Sequence, residues 1–237
     1  MIALTDCRAN ASSVETLKNM GFEVVLMPPS PSLQAGVASH TDMLIFIGFG
    51  RLFCHESYYN ENKNLIDSIA AKAELSISLT DEVWSADYPH DVLFNACQIG
   101  NKLICNEKTV SKKLLDLASQ ESCQIVKVAQ GYTKCSLCKV SECAIITSDK
   151  AIARACDGAQ IDVLLISEGH VSLPPYNFGF IGGASGQCSD NVYFCGSLDT
   201  HPDSEIIKEF CKKHKKNVIS LSECELQDVG SIFFIGE

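Results

Sequence analysis

The amino-acid sequence predicts an α/β fold, a propeller of five similar units in which strand, strand, helix and strand follow one another. Three observations support this fold class. Residues 42–69 and 91–117 align by eye, and each begins with an aspartate followed by two apolar strands and an amphipathic helix. Similar blocks recur about every 44 to 51 residues over the chain. The fifth block is complete only when the two ends of the chain are combined, which predicts a closed ring.

The five units divide the chain with pseudo-fivefold symmetry. In the split unit, residues 228–237 supply the first strand, and residues 1–30 supply the second strand, the helix and the last strand. The other units cover approximately residues 40–80, 90–129, 134–167 and 177–222. Because these units account for the whole chain, residues 1–237 are predicted to form a single propeller domain. The N- and C-terminal strands are expected to lie side by side in one unit.

The corner between the second strand and the helix carries a repeated polar pattern. In Thr147-Ser148-Asp149 and Leu4-Thr5-Asp6, a short polar residue is followed by a carboxylate. The short polar side chain can cap the helix, and the carboxylate then lies at the positive end of the helix dipole. We therefore expect carboxylates such as Asp6 and Asp149 to stabilise helix starts rather than to act in catalysis.

Composition and charge narrow the class of protein. Hydrophobic residues make up 46% of the chain and charged residues 20%, as in ordinary globular proteins. No apolar run approaches the roughly 20 residues that span a bilayer, and the N-terminus has no signal-peptide pattern, so a cytoplasmic location is expected. The net charge of −10 disfavours nucleic acid and anionic membranes as partners and suits a cationic small molecule. The sequence leaves open whether the protein forms a homo-oligomer.

No cofactor and no metal are predicted. The glycine-rich segment 177–187 matches neither a dinucleotide fingerprint nor a phosphate-binding loop. Cys135, Cys138 and Cys143 suggest two alternatives, a zinc site and a redox pair, and both stay open. The zinc alternative lacks the second cysteine pair of typical structural sites. In a strand, Cys135 and Cys138 would also point to opposite faces.

Three segments, residues 88–105, 126–148 and 225–235, resemble the pentein superfamily of guanidino-group-modifying enzymes. Within that superfamily they are most similar to dimethylarginine dimethylaminohydrolase. The resemblance implies a pentein-type five-bladed α/β propeller with an active site in its central cavity. It also implies that Asp91 is the carboxylate that binds the substrate.

Two of the enzyme positions carry other residues in this sequence. The resemblance places the catalytic histidine at Tyr132 or Thr133. It places the nucleophilic cysteine at Gly230 or Ser231. None of these side chains replaces an imidazole base or a thiolate. The chain is therefore identified as a member of a pentein-like bacterial family that departs from the enzyme pattern.

In such a ring the starts of the first strands converge on the axis, and these positions contain the candidate substrate-binding residues. They are Asp42, Asp91, Asp228, Lys134 and Asn177. Carboxylates bind a guanidinium or amidinium cation through bidentate, charge-assisted hydrogen bonds. In an alternative interpretation, the aspartates accept backbone N–H bonds at the strand starts.

Cys135 is the predicted nucleophile and His40 the predicted acid/base. A neighbouring Lys134 would lower the pKa of the thiol, whereas the carboxylates would raise it. His40 has an alternative interpretation as a loop histidine that faces water. Together these residues predict a small-molecule hydrolase or transferase that acts at a guanidine, ureido or amidine carbon. The alternative is a non-catalytic ring that binds a cationic ligand or a protein partner.

Overall fold

The computed structural model describes residues 1–236, which form five three-stranded sheets. Within these residues the strands are, in chain order, β1 (Ile2–Asp6), β2 (Glu23–Met27), β3 (Ile45–Gly48), β4 (Arg51–His55), β5 (Ser76–Thr80), β6 (Cys97–Ile99), β7 (Lys102–Cys105), β8 (Gln124–Lys127), β9 (Leu137–Ser141), β10 (Ala144–Thr147), β11 (Asp162–Leu165), β12 (Ser185–Cys188), β13 (Asn191–Phe194), β14 (Asn217–Ser220) and β15 (Phe233–Ile235). The helices are α1 (Ala11–Asn19), α2 (Thr41–Leu44), α3 (Glu56–Glu61), α4 (Lys63–Lys72), α5 (Lys112–Gln120), α6 (Thr133–Ser136), α7 (Lys150–Gly158) and α8 (Ser204–Lys213), with a 3₁₀ turn at Leu198–Thr200.

The five sheets share one topology. In each, the central strand pairs antiparallel with one neighbour and parallel with the strand that follows the helix. Four sheets have the orders β3-β4-β5, β6-β7-β8, β11-β10-β9 and β12-β13-β14. The remaining sheet has the order β15-β1-β2, in which Ile2 pairs with Ile235. The N- and C-terminal strands therefore share one sheet, which confirms this part of the predicted topology.

In every sheet, the edge strand that pairs antiparallel with the central strand borders one small cavity. This space, the lysine cavity, has a volume of about 170 Å³ and is lined by residues of β3, β6, β9, β12 and β15, together with Lys134. Five strands that are far apart in sequence therefore meet around it. Because α2 and α6 lead directly into β3 and β9, the residues of these short helices lie where two of the five strands begin.

Helix α7 shows how the local sequence sets an element. It begins after Asp149, whose carboxylate accepts hydrogen bonds from the backbone N–H of Ala151 at 2.7 Å and of Ile152 at 2.9 Å. These bonds satisfy donors that the first helical turn leaves free. The helix buries Ile152 and Cys156 against its sheet. The structural role expected for Asp149 agrees with this geometry.

The core consists of apolar side chains between the helices and the sheets. Its largest cluster contains Leu52, Ile66, Leu103 and Leu114, so it joins α4 and α5 to two of the sheets. The cysteines are all free, and many are buried like small apolar residues: Cys54, Cys97, Cys105, Cys138, Cys156, Cys195 and Cys211. None of the helices within residues 1–236 has the length and apolar character needed to cross a bilayer.

Candidate functional site

Two short helices bring an acid and a thiol into contact. Asp42 belongs to α2 and Cys135 belongs to α6. The Sγ atom of Cys135 lies 3.2 Å from each carboxylate oxygen of Asp42. Ser231, shortly before β15, donates a hydrogen bond from Oγ to Asp42 Oδ2 at 2.8 Å. All three side chains are buried, so these contacts lie in the interior.

Asn95 and Lys134 complete this group. The Oδ1 atom of Asn95 accepts hydrogen bonds from the backbone N–H of Lys134 at 2.6 Å and of Cys135 at 3.2 Å. Its Nδ2 donates to Cys135 Sγ at 3.1 Å. Lys134 Nζ donates to Ser231 Oγ at 2.8 Å. Asp42, Asn95, Lys134, Cys135 and Ser231 are called the buried polar cluster below.

Burial sets the protonation of this cluster. Burial raises the pKa of Asp42, although the charges of His40 and Lys134 oppose the change. Burial also raises the pKa of Cys135 well above its ordinary value, and the charges of Asp42 and Asp228 raise it further. Cys135 is therefore a protonated thiol at neutral pH, and it donates to Asp42. Burial decides the direction in which the pKa of Cys135 moves, and the two carboxylates act in the same direction.

A cavity of about 440 Å³, the acidic cavity, lies beside the cluster. Its wall contains the acidic, imidazole and thiol side chains of His40, Asp91, Cys135 and Asp228 and the aromatic rings of Tyr132, Tyr176, Phe178 and Phe180. The rings of Tyr132 and Phe180 are 6.4 Å apart between centroids and 24° from parallel. Negative charge and aromatic faces are the two features that attract an organic cation.

Asp91 has one paired and one unpaired oxygen. Its Oδ2 accepts a hydrogen bond from the hydroxyl of Tyr132 at 2.6 Å. Its Oδ1 is buried and has no hydrogen-bond partner within the part of the chain that the structure describes. Burial raises the pKa of Asp91, and the bond from Tyr132 opposes this rise. Burial and the neighbouring Asp91 in turn raise the pKa of Tyr132, so the tyrosine stays a hydrogen-bond donor.

Asp228 is held by backbone groups. Its Oδ2 accepts from the N–H of Phe180 at 2.8 Å, and its Oδ1 accepts from the N–H of Gly230 at 3.0 Å. Burial raises the pKa of Asp228 to about 6, although these N–H groups and Lys134 lower it. A Cβ atom at Gly183 would lie 2.0 Å from Asp228 Oδ1, so the close approach requires glycine there.

His40 lies between two carboxylates. Its Nδ1 is 3.7 Å from Asp228 Oδ1, and its Nε2 is 3.6 Å from Asp6 Oδ2. Within residues 1–236 neither ring nitrogen has a hydrogen-bond partner, and the residue is only 1% exposed. Burial lowers the pKa of His40, against the charges of Asp42 and Asp6, so the ring is neutral at neutral pH. The buried position contradicts the alternative of a loop histidine facing water.

Asp6 belongs to this site, and the expectation that it marks a helix start was wrong. Helix α1 begins later and is capped by Asn10. Asp6 Oδ2 instead accepts a hydrogen bond from the guanidinium of Arg8 at 2.6 Å, and its Oδ1 accepts one from Ser39 Oγ at 2.7 Å. Burial raises the pKa of Asp6, but the bonds from Arg8 and Ser39 outweigh it and lower the pKa. An ionised carboxylate therefore faces His40.

The structure brings five of the predicted site residues to one wall. His40, Asp91, Cys135, Asn177 and Asp228 all border the acidic cavity. The sequence could not establish that the predicted acid/base and the predicted nucleophile share a cavity, because they lie in different units. Their shared position is a finding of geometry, and their catalytic roles stay predictions.

Asp42 and Lys134 lie elsewhere. Asp42 is in the buried polar cluster, in contact with Cys135. Lys134 borders the lysine cavity and directs its Nζ to Ser231. Neither belongs to the wall of the acidic cavity, so both act on that cavity through their charges, as Lys134 does on the pKa of Asp228.

The sequence analysis did not select Asp6, Asn95, Tyr132 or Ser231 as site residues. Tyr132 and Ser231 had a signal, because the resemblance aligned them with the histidine and cysteine of the enzymes. Asp6 lies at the end of the second strand of its unit, and Asp149 comes just after that strand in another unit. A carboxylate at this position usually caps or stabilises a helix, so the sequence offered no reason to select Asp6 as a site residue. Asn95 had no signal, because its contacts with Cys135 join residues 40 positions apart.

The zinc alternative receives no support from the arrangement of the cysteines. Cys138 is buried, whereas Cys143 is exposed. Among residues 1–236, no three His, Cys, Asp or Glu side chains are placed so that they could hold a metal ion.

Several solved structures have a fold similar to that of this protein. The chain is similar to dimethylarginine dimethylaminohydrolase of Pseudomonas aeruginosa in complex with citrulline, with a TM-score of 0.58 and 8% identity over 93% of this chain and 91% of that one. The chain is also similar to an amidinotransferase of saxitoxin biosynthesis from Microseira wollei. The TM-score is 0.54 and the identity is 10%, over 91% of this chain and 77% of that one. For agmatine deiminase of C. jejuni the TM-score is 0.51 and the identity is 10%, over 90% of this chain and 74% of that one. These proteins are all penteins, which confirms the resemblance and identifies the mixed α/β fold of five small sheets.

A family model also matches this sequence. The chain matches a family of unknown function (DUF6873) over residues 4–233 and belongs to that family. Among curated proteins, no sequence matches the chain.

Proposed function

We propose that residues 1–237 form a single five-bladed propeller whose acidic cavity binds a small cation of the guanidinium or amidinium class. Two observations support the ring: one strand from each sheet borders the lysine cavity, and β1 pairs with β15. The structural neighbours support the ligand class. They are named as a dimethylarginine hydrolase, an agmatine deiminase and an amidinotransferase, all of which act on guanidino groups.

One observation carries the proposal. Asp91 lines a cavity that also presents Asp228, and its buried Oδ1 has no hydrogen-bond partner among residues 1–236. A buried carboxylate oxygen without a hydrogen bond is costly, because it has lost its water and gained nothing in exchange. A guanidinium supplies both the charge and the planar N–H groups that a carboxylate accepts. The faces of Tyr132 and Phe180 add cation–π attraction.

The direct test is a titration calorimetry experiment with n-butylguanidine at pH 7.5 on the wild type and Asp91→Asn. We expect the substitution to weaken binding roughly 10- to 100-fold, because a hydrogen bond to a charged group contributes about 1.5–3 kcal/mol. Asp157→Asn is the matched control, since Asp157 is exposed on α7 and far from the cavity wall in sequence. Equal binding by wild type and Asp91→Asn would contradict the proposal.

A second candidate is a hydrolase or transferase that acts at a guanidine, ureido or amidine carbon. The observation that favours it is that Cys135 and His40 border the same cavity. Catalysis by Cys135 requires a thiolate, and a cation bound beside it would lower the raised pKa of the thiol.

Alkylation separates the two candidates. If the protein is an enzyme, a cation in the cavity activates the thiol, so n-butylguanidine at pH 7.5 raises the rate at which iodoacetamide modifies Cys135 relative to the exposed Cys7, Cys143 and Cys224. If the protein is only a binding module, n-butylguanidine leaves the rate at Cys135 unchanged or lowers it. Peptide mapping by mass spectrometry gives the rate at each cysteine.

A further inference from the structure

The charged groups on the wall of the acidic cavity are all acidic among the residues that the structure describes. It contains the carboxyl groups of Asp91 and Asp228, the neutral ring of His40 and the amides of Gln34 and Asn177. Within residues 1–236, no lysine or arginine belongs to this wall. A ligand that enters the cavity therefore meets groups that accept positive charge and none that neutralises negative charge.

The guanidinium of Arg8, which lies next to the site, already donates hydrogen bonds to other groups of the protein. Its Nε donates to Asp6 Oδ1 at 3.0 Å and one of its terminal nitrogens donates to Asp6 Oδ2 at 2.6 Å. The remaining bonds go to the carbonyl oxygens of Ala35 and Gly36, both at 2.9 Å. Four of its five N–H groups are therefore used, and to turn toward a ligand the guanidinium would have to give up bonds that it already makes. Lys134 is similarly engaged with Ser231, on the side of the lysine cavity.

We propose that the ligand of the acidic cavity carries no carboxylate, so that it is an alkyl- or aryl-guanidine or -amidine rather than an amino acid. This inference rests on the proposed function and names its ligand class. A carboxylate brought beside Asp91 and Asp228 would lose water without gaining a cationic partner. The aromatic residues Tyr176 and Phe178, each 39% exposed, offer an apolar surface to an uncharged tail instead.

A pair of ligands that differ in one negative charge and one methyl group tests this inference. We would measure binding of 4-guanidinobutanoate and of its methyl ester by titration calorimetry at pH 7.5, with n-butylguanidine as the reference. The ester is expected to bind at least about tenfold more tightly than the acid. Equal or tighter binding of the acid would overturn the inference while leaving the proposed function intact. Failure of all three ligands to bind would overturn both. Binding of n-butylguanidine alone would overturn the inference, because the charge of the acid would then not explain its rejection when the neutral ester is rejected as well.

A gain-of-function variant gives an independent readout. Asn177 is exposed and borders the cavity, so Asn177→Arg adds a cation at its rim without removing a buried contact. We expect this variant to bind 4-guanidinobutanoate at least about fivefold more tightly than the wild type and to bind the ester no more tightly. Asn101→Arg, at an exposed turn that does not belong to the cavity wall, is the control and should leave both affinities unchanged. A similar change for acid and ester in Asn177→Arg would contradict the inference.

Discussion

The buried polar cluster and the acidic cavity share the residue Cys135 but differ in how their polar atoms are satisfied. In the cluster every side chain has a hydrogen-bond partner, as Asp42 has in Cys135 and Ser231. On the cavity wall, Asp91 Oδ1 and both nitrogens of His40 are buried without one among the described residues. Native proteins rarely leave buried polar atoms unpaired. The difference favours a structural role for the cluster, and unpaired polar atoms on the cavity wall are what the proposed ligand would satisfy.

The largest effect should follow from breaking the cluster at Asp42. Asp42→Ala leaves the hydroxyl of Ser231 and the thiol of Cys135 without the carboxylate to which they donate. We expect the free energy of unfolding to fall by about 3 kcal/mol, since each buried donor that loses its acceptor costs about 1–3 kcal/mol. Urea denaturation at pH 7.5 measures it.

Asp91→Asn is the matched comparison for this experiment, because it changes a buried aspartate of the cavity wall. Its free energy of unfolding should change by less than about 1 kcal/mol, since the carboxylate oxygen that it alters has no partner to lose. If Asp42→Ala and Asp91→Asn were equally destabilising, the division between a structural cluster and a ligand site would be wrong.

The same comparison explains what the sequence could predict. The repeat placed Asp42, Asp91 and Asp228 at equivalent positions of three units, and the five sheets have the predicted strand order. Repeat spacing fixes where the backbone of a unit begins, but it does not fix the direction in which a side chain leaves the axis. Asp42 therefore turned into the cluster, while Asp91 and Asp228 face the cavity.

The partners of these aspartates were harder to predict, because they come from distant parts of the chain. Asp42 meets Cys135 at a sequence separation of 93 residues and Ser231 at a separation of 189. No local pattern specifies such pairs. For Asp6 a local pattern was present and misleading, since helix capping competes with the pairing to Arg8 that the folded chain makes.

The pH dependence of ligand binding should sharpen the role of the cavity. Asp228, with its pKa raised to about 6, is ionised at pH 7.5 and about nine-tenths protonated at pH 5. Because a guanidinium binds the ionised form, its affinity should be lost as the pH falls through about 6 and should be roughly tenfold weaker at pH 5 than at pH 7.5. Protonation of His40, whose pKa is lowered, would act in the same direction at still lower pH.

Titration calorimetry of n-butylguanidine across this range gives the result, since the guanidinium itself stays charged throughout. The exposed-site variant Asp157→Asn should follow the wild-type profile. An affinity that is constant between pH 5 and pH 7.5 would mean that Asp228 does not contact the ligand.

A smaller effect is expected at the hydrogen bond between Tyr132 and Asp91. Tyr132→Phe removes the hydroxyl that donates to Asp91 Oδ2 while keeping the ring beside Phe180. We expect the free energy of unfolding at pH 7.5 to fall by about 1 kcal/mol, within the usual range for one hydrogen bond. Tyr59→Phe, which removes a tyrosine–aspartate bond to Asp67 at the surface, is the control and should have the smaller effect. A more stable Tyr132→Phe variant would show that this bond is strained.

The smallest effect, no measurable activity, is expected when the cysteine of the related enzymes is restored in the cluster. In Ser231→Cys the new thiol would stand beside Asp42, where burial and negative charge raise a thiol pKa as they do for Cys135. The resemblance places the missing imidazole at Tyr132 or Thr133, and neither residue changes in this variant. The variant should therefore release no ammonia from n-butylguanidine and form no citrulline from arginine above the wild-type background, as measured by enzymatic ammonia assay and mass spectrometry. Turnover by this single variant would show that the cluster can supply a thiolate, and the contrast between a saturated cluster and an open cavity would no longer separate fold from function.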